Sequence, residues 1–431
     1  MLKDDPTVEI TLTGEAGDPL GQRGVINTLI TAVSAIEPPA CIALYGPWGS
    51  GKTVLMRNAE RQLKASQHVT AWFDPWLYER QEDVLTPLIR HVLKAVQTPA
   101  GAKTDTWKKN AKTLVTSIGR VVLKAGFRAL LANTIGYVGD GTATEKSLGK
   151  DSFSDDDLDT WTDDTDPVEQ IRDAFEKVVN LALGDAKDGR KLVVFLDDLD
   201  RCLPAKVVEL IEAVKLLLCG AQGRVVFVFG LDRAVVGEAI RQQYPGSSSY
   251  TGESYLEKIF DLSLETPPVS TTRLKAYAEA ILAPLRARHT LGNSDIDLPA
   301  LTKPFGNGEA GLALLIRVLS EPYFANPRLI KRTINRLFLL SQSTDTCAWI
   351  SRNRSHQMAE YYLRWLAGAE RFRAFRMQFI SEYGQNHDAW KQPDASTPLL
   401  KTYISPLTPA FTGEPGKLLC TFDTKLREIG L

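Results

Sequence analysis

Three apolar runs stand out along the chain: CIALY at 41–45, LVVFL at 192–196 and RVVFVFG at 224–230. Runs this short with no alternating polar positions predict parallel strands covered on both faces. Between them the apolar period changes. Leu55, Ala59 and Leu63 recur at helical spacing after the first run, and Pro204 suits the first turn of a helix striped by Val207, Ile211, Val214 and Leu218. The order around the second and third runs is therefore strand, helix, strand. The last third is helical in pattern: Asn326 reads as a cap and Pro327 as a first-turn residue, with Ile330, Ile334 and Leu337 inward and Arg328, Arg332 and Asn335 on another stripe. Tyr362, Leu366, Ala369, Phe372 and Phe379 make an aromatic stripe over 358–383 that reads as core packing. The expected fold is α/β: a parallel-sheet core with a helical insert, followed by a helical C-terminal region.

Between the first run and its helix lies Gly46-Pro47-Trp48-Gly49-Ser50-Gly51-Lys52-Thr53, with Val54 at the helix start. Strand, glycine-rich loop and helix in that order form a phosphate-binding loop, the Walker A element of a P-loop NTPase. The glycines let backbone N–H groups converge on phosphate oxygens, and the helix start adds partial positive charge. Lys52 is placed to neutralise the β and γ oxygens of a nucleoside triphosphate, and the Thr53 hydroxyl to ligate Mg²⁺.

The second run ends abruptly in carboxylates, LDDLDRC at 196–202, which is the Walker B pattern. Ligands of open α/β sheets sit at the carboxyl ends of the strands, so Asp197 is expected in the Mg²⁺ shell. Asp198 is placed to orient or deprotonate the attacking water, with Asp200 in reserve. The third run leads into Asp232 and Arg233. Asp232 reads either as a γ-phosphate sensor or as the cap of the next helix. Arg201 and Arg233 read either as arginines acting on a neighbouring protomer's site or, for Arg201, as a partner of the adjacent acids, and for Arg233, as an exposed side chain.

Composition changes this picture little. The 431 residues are 44% hydrophobic with a net charge of −1, enough for two or three domains and no global pull toward nucleic acid or membrane. The five cysteines have no CxxC pairing, and MLKDDPTVEI lacks an export pattern, so a cytoplasmic protein is expected. One local bias matters: Lys108, Lys109, Lys112, Arg120, Lys124 and Arg128 precede an Asp-rich segment at 151–166. This reads as an insert with a solvated basic face and an acidic linker, or as a contact for a partner, nucleic acid or membrane surface. The charge-free stretch at 129–139 is too short to cross a bilayer.

Taken together, the motifs resemble those of the KAP P-loop NTPases, within the AAA-like and STAND-like ATPases. The matching pieces are WGSGKT at 48–53, AWFDPWLYE at 71–79, LDDLDRC, FGLDRAVV at 229–236, YLEKIFDLSLETPP at 255–268 and NPRLIKRTINRL at 326–337, in family order over roughly residues 18–340. The resemblance implies ATP as nucleotide, Mg²⁺ as cofactor and ATP hydrolysis as the reaction, with Arg328 at the position of a lid arginine that reaches the γ-phosphate. It also implies a role in bacterial anti-phage defence, as a switch or assembly ATPase working as a homo-oligomer or beside separately encoded effectors. A nucleic-acid-coupled motor or clamp-loader-like ATPase is the alternative. Many relatives insert transmembrane helices between the two phosphate motifs, and this chain resembles the branch without them. Residues 18–30 and Trp48 are candidate walls for the base. The expected division is 1–97 and 171–268 as the two parts of the nucleotide domain, 98–170 as the helical insert and acidic linker, and 269–431 as the lid and C-terminal region.

Overall fold

The computed structural model describes residues 17–81, 83–96, 104–118, 167–184, 189–215, 223–244, 252–290, 301–307, 309–324, 326–368, 371–385, 400, 403–411 and 413–431. The chain divides into two compact units. A sheet unit comprises Val25–Pro47 and Leu55–Glu265, and a helical unit comprises Met1–Gly24, Trp48–Val54 and Thr266–Leu431.

The sheet unit holds five parallel strands, β1 (Ala40–Tyr45), β2 (Val69–Phe73), β3 (Leu192–Leu196), β4 (Val225–Leu231) and β5 (Leu262–Glu265), in the spatial order β2-β3-β4-β1-β5. The three apolar runs are β1, β3 and β4, every residue of which is buried, as expected of strands covered on both faces. The helices are α1 (Arg23–Ala35), α2 (Lys52–Ala65), α3 (Leu85–Ala95), α4 (104–118), α5 (Pro167–Leu183), α6 (Pro204–Ala213), α7 (Arg233–Gln243) and α8 (Gly252–Ile259). Leu55, Ala59 and Leu63 of α2 and Val207, Ile211 and Val214 at α6 are buried; Leu218 lies outside the described residues. At the opposite end of the sheet from the strand carboxyl termini, the Lys191 ammonium donates to the carbonyls of Val33, Ser34 and Ile36 at 2.9, 2.8 and 2.6 Å, satisfying the end of α1.

Of the segment at 98–170, expected as a helical insert and acidic linker, the part at 104–118 is described as α4. Trp107, Ala111, Leu114 and Ile118 of α4 are buried in the same apolar cluster as α3, α5 and the sheet, because they recur on one helical face while Lys108, Lys109 and Lys112 take the exposed one. Arg120, Lys124, Arg128, the 129–139 stretch and the Asp-rich 151–166 lie outside the described residues. Among the described residues no helix is long and apolar enough to cross a membrane.

The helical unit contains α9 (Thr271–Thr290), α10 (Glu309–Leu319), α11 (Pro327–Ser341), α12 (Thr344–Arg352), α13 (His356–Gly368), α14 (Arg373–Gln385) and α15 (Gly413–Glu428) around its own apolar core. Ile330, Ile334 and Leu337 of α11 face that core. The aromatic stripe is divided between two helices: Tyr362 and Leu366 lie on α13, Phe379 on α14 and Phe372 in the joint, all buried, with Ala369 outside the described residues.

Candidate functional site

Strand register places the carboxylates of the sheet unit. Phe73 pairs with Leu196, Leu196 with Phe229, and Leu44 with Gly230. One step further along each strand, Asp74, Asp197 and Gly230 stand side by side at the carboxyl edge, and Gly46 follows β1 beside them. Main-chain bonds fix these positions: the Asp197 N–H donates to Phe73 O at 3.1 Å and the Gly46 N–H to Leu231 O at 3.0 Å. A Cβ at Gly230 would stand 2.6 Å from Cε of Met56 and 3.1 Å from Oδ1 of Asp197, so the glycine leaves room for both. Asp197 is buried, with 4% of its surface exposed.

Asp198 adopts the left-handed conformation (φ 56°, ψ 23°), rare for a residue with a side chain but tolerated by Asp. Its Oδ1 pairs with the Arg201 guanidinium at 2.9 Å. Burial, with Asp197 next in weight, pushes its carboxyl up to about 6 against the opposing pull of Arg201; Asp74 and Asp200 add smaller repulsions. Asp200 and Arg201 share the short 3-10 turn Leu199–Arg201. Arg201 also lies over the Trp76 ring, 5.4 Å from its centroid, so the structure displays the local pairing that was one of its two readings. Asp74 caps the turn Pro75–Tyr78 through a 3.1 Å bond from the Trp76 N–H, yet burial still raises its carboxyl.

Asp232 is the N-cap of α7, with Oδ1 accepting from the N–H groups of Ala234 and Val235 at 3.1 and 3.5 Å. That is the capping reading. Arg233 lies 3.7 Å from each of Glu253 and Glu257 and over the Tyr45 ring at 5.4 Å, so it is paired rather than merely exposed.

Trp48–Val54 belong to the helical unit. Gly49 and Gly51 have φ of +82° and +96°, values that favour glycine, and their missing side chains make room for others. A Cβ on Gly49 would stand 2.4 Å from the Asn326 amide, and one on Gly51 2.6 Å from Nε2 of Gln22. Asn326 does two things. Its Oδ1 accepts from the Arg328 N–H at 3.0 Å, capping α11, while its Nδ2 donates to the Trp48 carbonyl at 2.9 Å. Gln22, buried, donates to Ser50 O at 3.4 Å, and its own N–H is held by Asp18 at 2.7 Å. The guanidiniums of Arg328 and Arg332 lie over the Trp48 ring at 4.4 and 5.7 Å, a cation–π arrangement. Lys52 opens α2 and is 7% exposed; Thr53 and Val54 follow it in the first turn. The Ser50 hydroxyl is buried and has no hydrogen-bond partner among the described residues.

Three residues here were not read from the sequence as site residues: Asp74, Gln22 and Asn326. Asp74 sits in the FDPW motif, Gln22 in the 18–30 segment expected to face the base, and Asn326 looked like a helix cap alone.

The profile described as the KAP family P-loop domain matches residues 23–343. The chain belongs to the KAP family. A curated relative of this KAP chain is the phage T7 exclusion protein of Escherichia coli (strain K12), 23% identical over 327 residues that cover 71% of this chain and 39% of that protein. The KAP chain thus matches about two fifths of that relative's length. Solved structures similar to it include Cdc6p from Pyrobaculum aerophilum, at 14% identity and TM-score 0.37 over 98% of this chain and 89% of that one. The Aeropyrum pernix ORC2 protein is similar at 12% identity and TM-score 0.34, over 94% and 90%.

Proposed function

We propose that this KAP chain binds and hydrolyses ATP with Mg²⁺, and that hydrolysis switches an assembly active in phage defence. The observation that carries the enzymatic part is the carboxylate pair Asp197–Asp198 at the sheet edge where β1 runs into Gly46. The residues fit the nucleotide. Glycines at positive φ leave bare main chain for phosphate, Lys52 supplies a cation to the β and γ oxygens, and Thr53 with Asp197 offers two oxygen ligands, the small protein share that Mg²⁺ takes beside phosphates. When bound, Mg²⁺ would offset charge on the β and γ oxygens.

Asp198 is the base in this reading. Its carboxylate takes a proton from water as the water oxygen bonds to the γ-phosphorus; the bond to the β-phosphate oxygen breaks, and ADP and phosphate leave. Arg201 holds Asp198 in place. Arg328, stacked on Trp48 beside the loop, is the candidate to meet the γ-phosphate from the lid, whereas Asp232 serves α7 as a cap. The defence role rests on the phage T7 exclusion relative, and copies of the chain or separate effectors are the partners it suggests. The alternative of a nucleic-acid-coupled motor draws on the exposed Lys108, Lys109 and Lys112 of α4.

ATP turnover by the purified chain, alone and with duplex DNA, single strands or RNA, tests these readings. Lys52→Ala should lose triphosphate binding; Asp198→Asn should retain it and stop turnover. Normal turnover by Asp198→Asn with a dead Asp200→Asn would move the base to Asp200, and strong stimulation by nucleic acid would favour the motor.

A further inference from the structure

We propose that the C-terminal part of the helical unit holds a second ligand site, an arginine-walled pocket for a small phosphate-bearing molecule. A cavity of about 620 Å³ is lined by Arg336 of α11, Arg373 and Arg376 of α14 and Arg427 of α15, with Met377 and Leu431 among its apolar walls. Its volume suits a mononucleotide-sized ligand. Guanidiniums from three helices repel one another, so their convergence calls for negative charge.

The protein supplies some of it, in the form of Asp423. This carboxylate is fully buried; it accepts from Trp365 Nε1 at 2.9 Å, from Arg376 Nε at 2.9 Å and from Arg427 Nε at 2.8 Å. Asp423 thereby fixes two of the four guanidiniums, a preorganised arrangement. Its ion pairs among the described residues are with Arg376 and Arg427. Arg373 is exposed and has no carboxylate partner among the described residues. Arginine forks match phosphate oxygens in geometry as well as charge. The apolar walls suit the organic body of the ligand.

The test uses the full chain carrying Lys52→Ala, so that the 46–53 loop does not compete. Calorimetric titrations with pyrophosphate, AMP and a single-stranded oligonucleotide distinguish a free phosphate ester from a polymer backbone. Pyrophosphate or AMP should bind saturably with a Kd below about 1 mM, and Arg373→Glu should weaken that binding about tenfold or more. Arg373 is exposed, so this variant should keep the fold; Arg376→Ala, which strips a partner from buried Asp423, serves only as a second variant if it folds. Absence of saturable binding, binding indifferent to Arg373→Glu, or binding of the oligonucleotide alone would each overturn the proposal. Because the Lys52→Ala background has no need of ATP turnover, the result is independent of whether the chain hydrolyses ATP.

Discussion

Asn326 joins two functions in one side chain, and they can be separated by substitution. Asn326→Ala removes both the α11 cap and the bond to Trp48 O. The lost cap costs about 1 kcal/mol and the lost hydrogen bond about 1 more, so unfolding stability should fall by about 2 kcal/mol. Asn326→Asp keeps an acceptor for the Arg328 N–H, because Asp caps as well as Asn, but it puts a carboxylate oxygen where the Trp48 carbonyl had a donor. Stability should then fall by about 1 kcal/mol, the share of the lost hydrogen bond alone. Nucleotide binding should respond differently. Freeing the Trp48 carbonyl removes about 1 kcal/mol of loop preorganisation, so both variants should bind a non-hydrolysable ATP analogue roughly fivefold more weakly. Urea denaturation without nucleotide and calorimetry with the analogue read the two effects. If Asn326→Asp binds the analogue within about twofold of the parent, the bond to Trp48 does not preorganise the loop, whatever the variant's stability.

Three further outcomes are expected. Leu114→Ala should destabilise the chain by about 3 kcal/mol in denaturant, because Leu114 is fully buried in the sheet unit's core, whereas exposed Lys112→Ala should stay within about 0.5; equal, small effects would restore 98–170 as a dispensable insert. Gly230→Ala should lower ATP turnover more than ATP binding by pressing on Asp197 and Met56, and unaltered turnover would mean that Asp197 need not stay where it is. Mixing Arg201→Ala with Asp198→Asn should restore no activity, because these two side chains already pair within one chain; rescue in the mixture would make Arg201 a residue that acts on a neighbour.

The central strands were legible because burial on both faces leaves a continuous apolar run, and β1, β3 and β4 carry such runs. β5 was not: at the sheet edge its four residues alternate between half-buried and exposed, and LSLE has no run to notice. The glycine loop and the Asp197–Asp198 pair were visible as local strings. Asp74 was hidden because its meaning depends on β2 pairing beside β3 across more than a hundred residues of sequence. The tie from Asn326 to Trp48 spans 278 residues, and a cap donating its spare amide to a distant carbonyl leaves no mark on the local pattern. On α4 both signals were present, but the lysines on one face drew attention from Trp107, Ala111, Leu114 and Ile118 on the other.

The space above Gly49 sets how far a working fragment has to extend. The last strand of the sheet ends at Glu265, where a domain cut by secondary structure alone would stop. Such a fragment keeps the five strands of the sheet among the described residues and the whole 46–53 loop, yet it discards Asn326, whose amide fills the gap left by the absent Cβ and holds the Trp48 carbonyl. It would present a loop with the correct letters and one of its main-chain anchors missing. A fragment that keeps this anchor therefore has to run past residue 326 and carry enough of α11 to hold that amide on its helix cap.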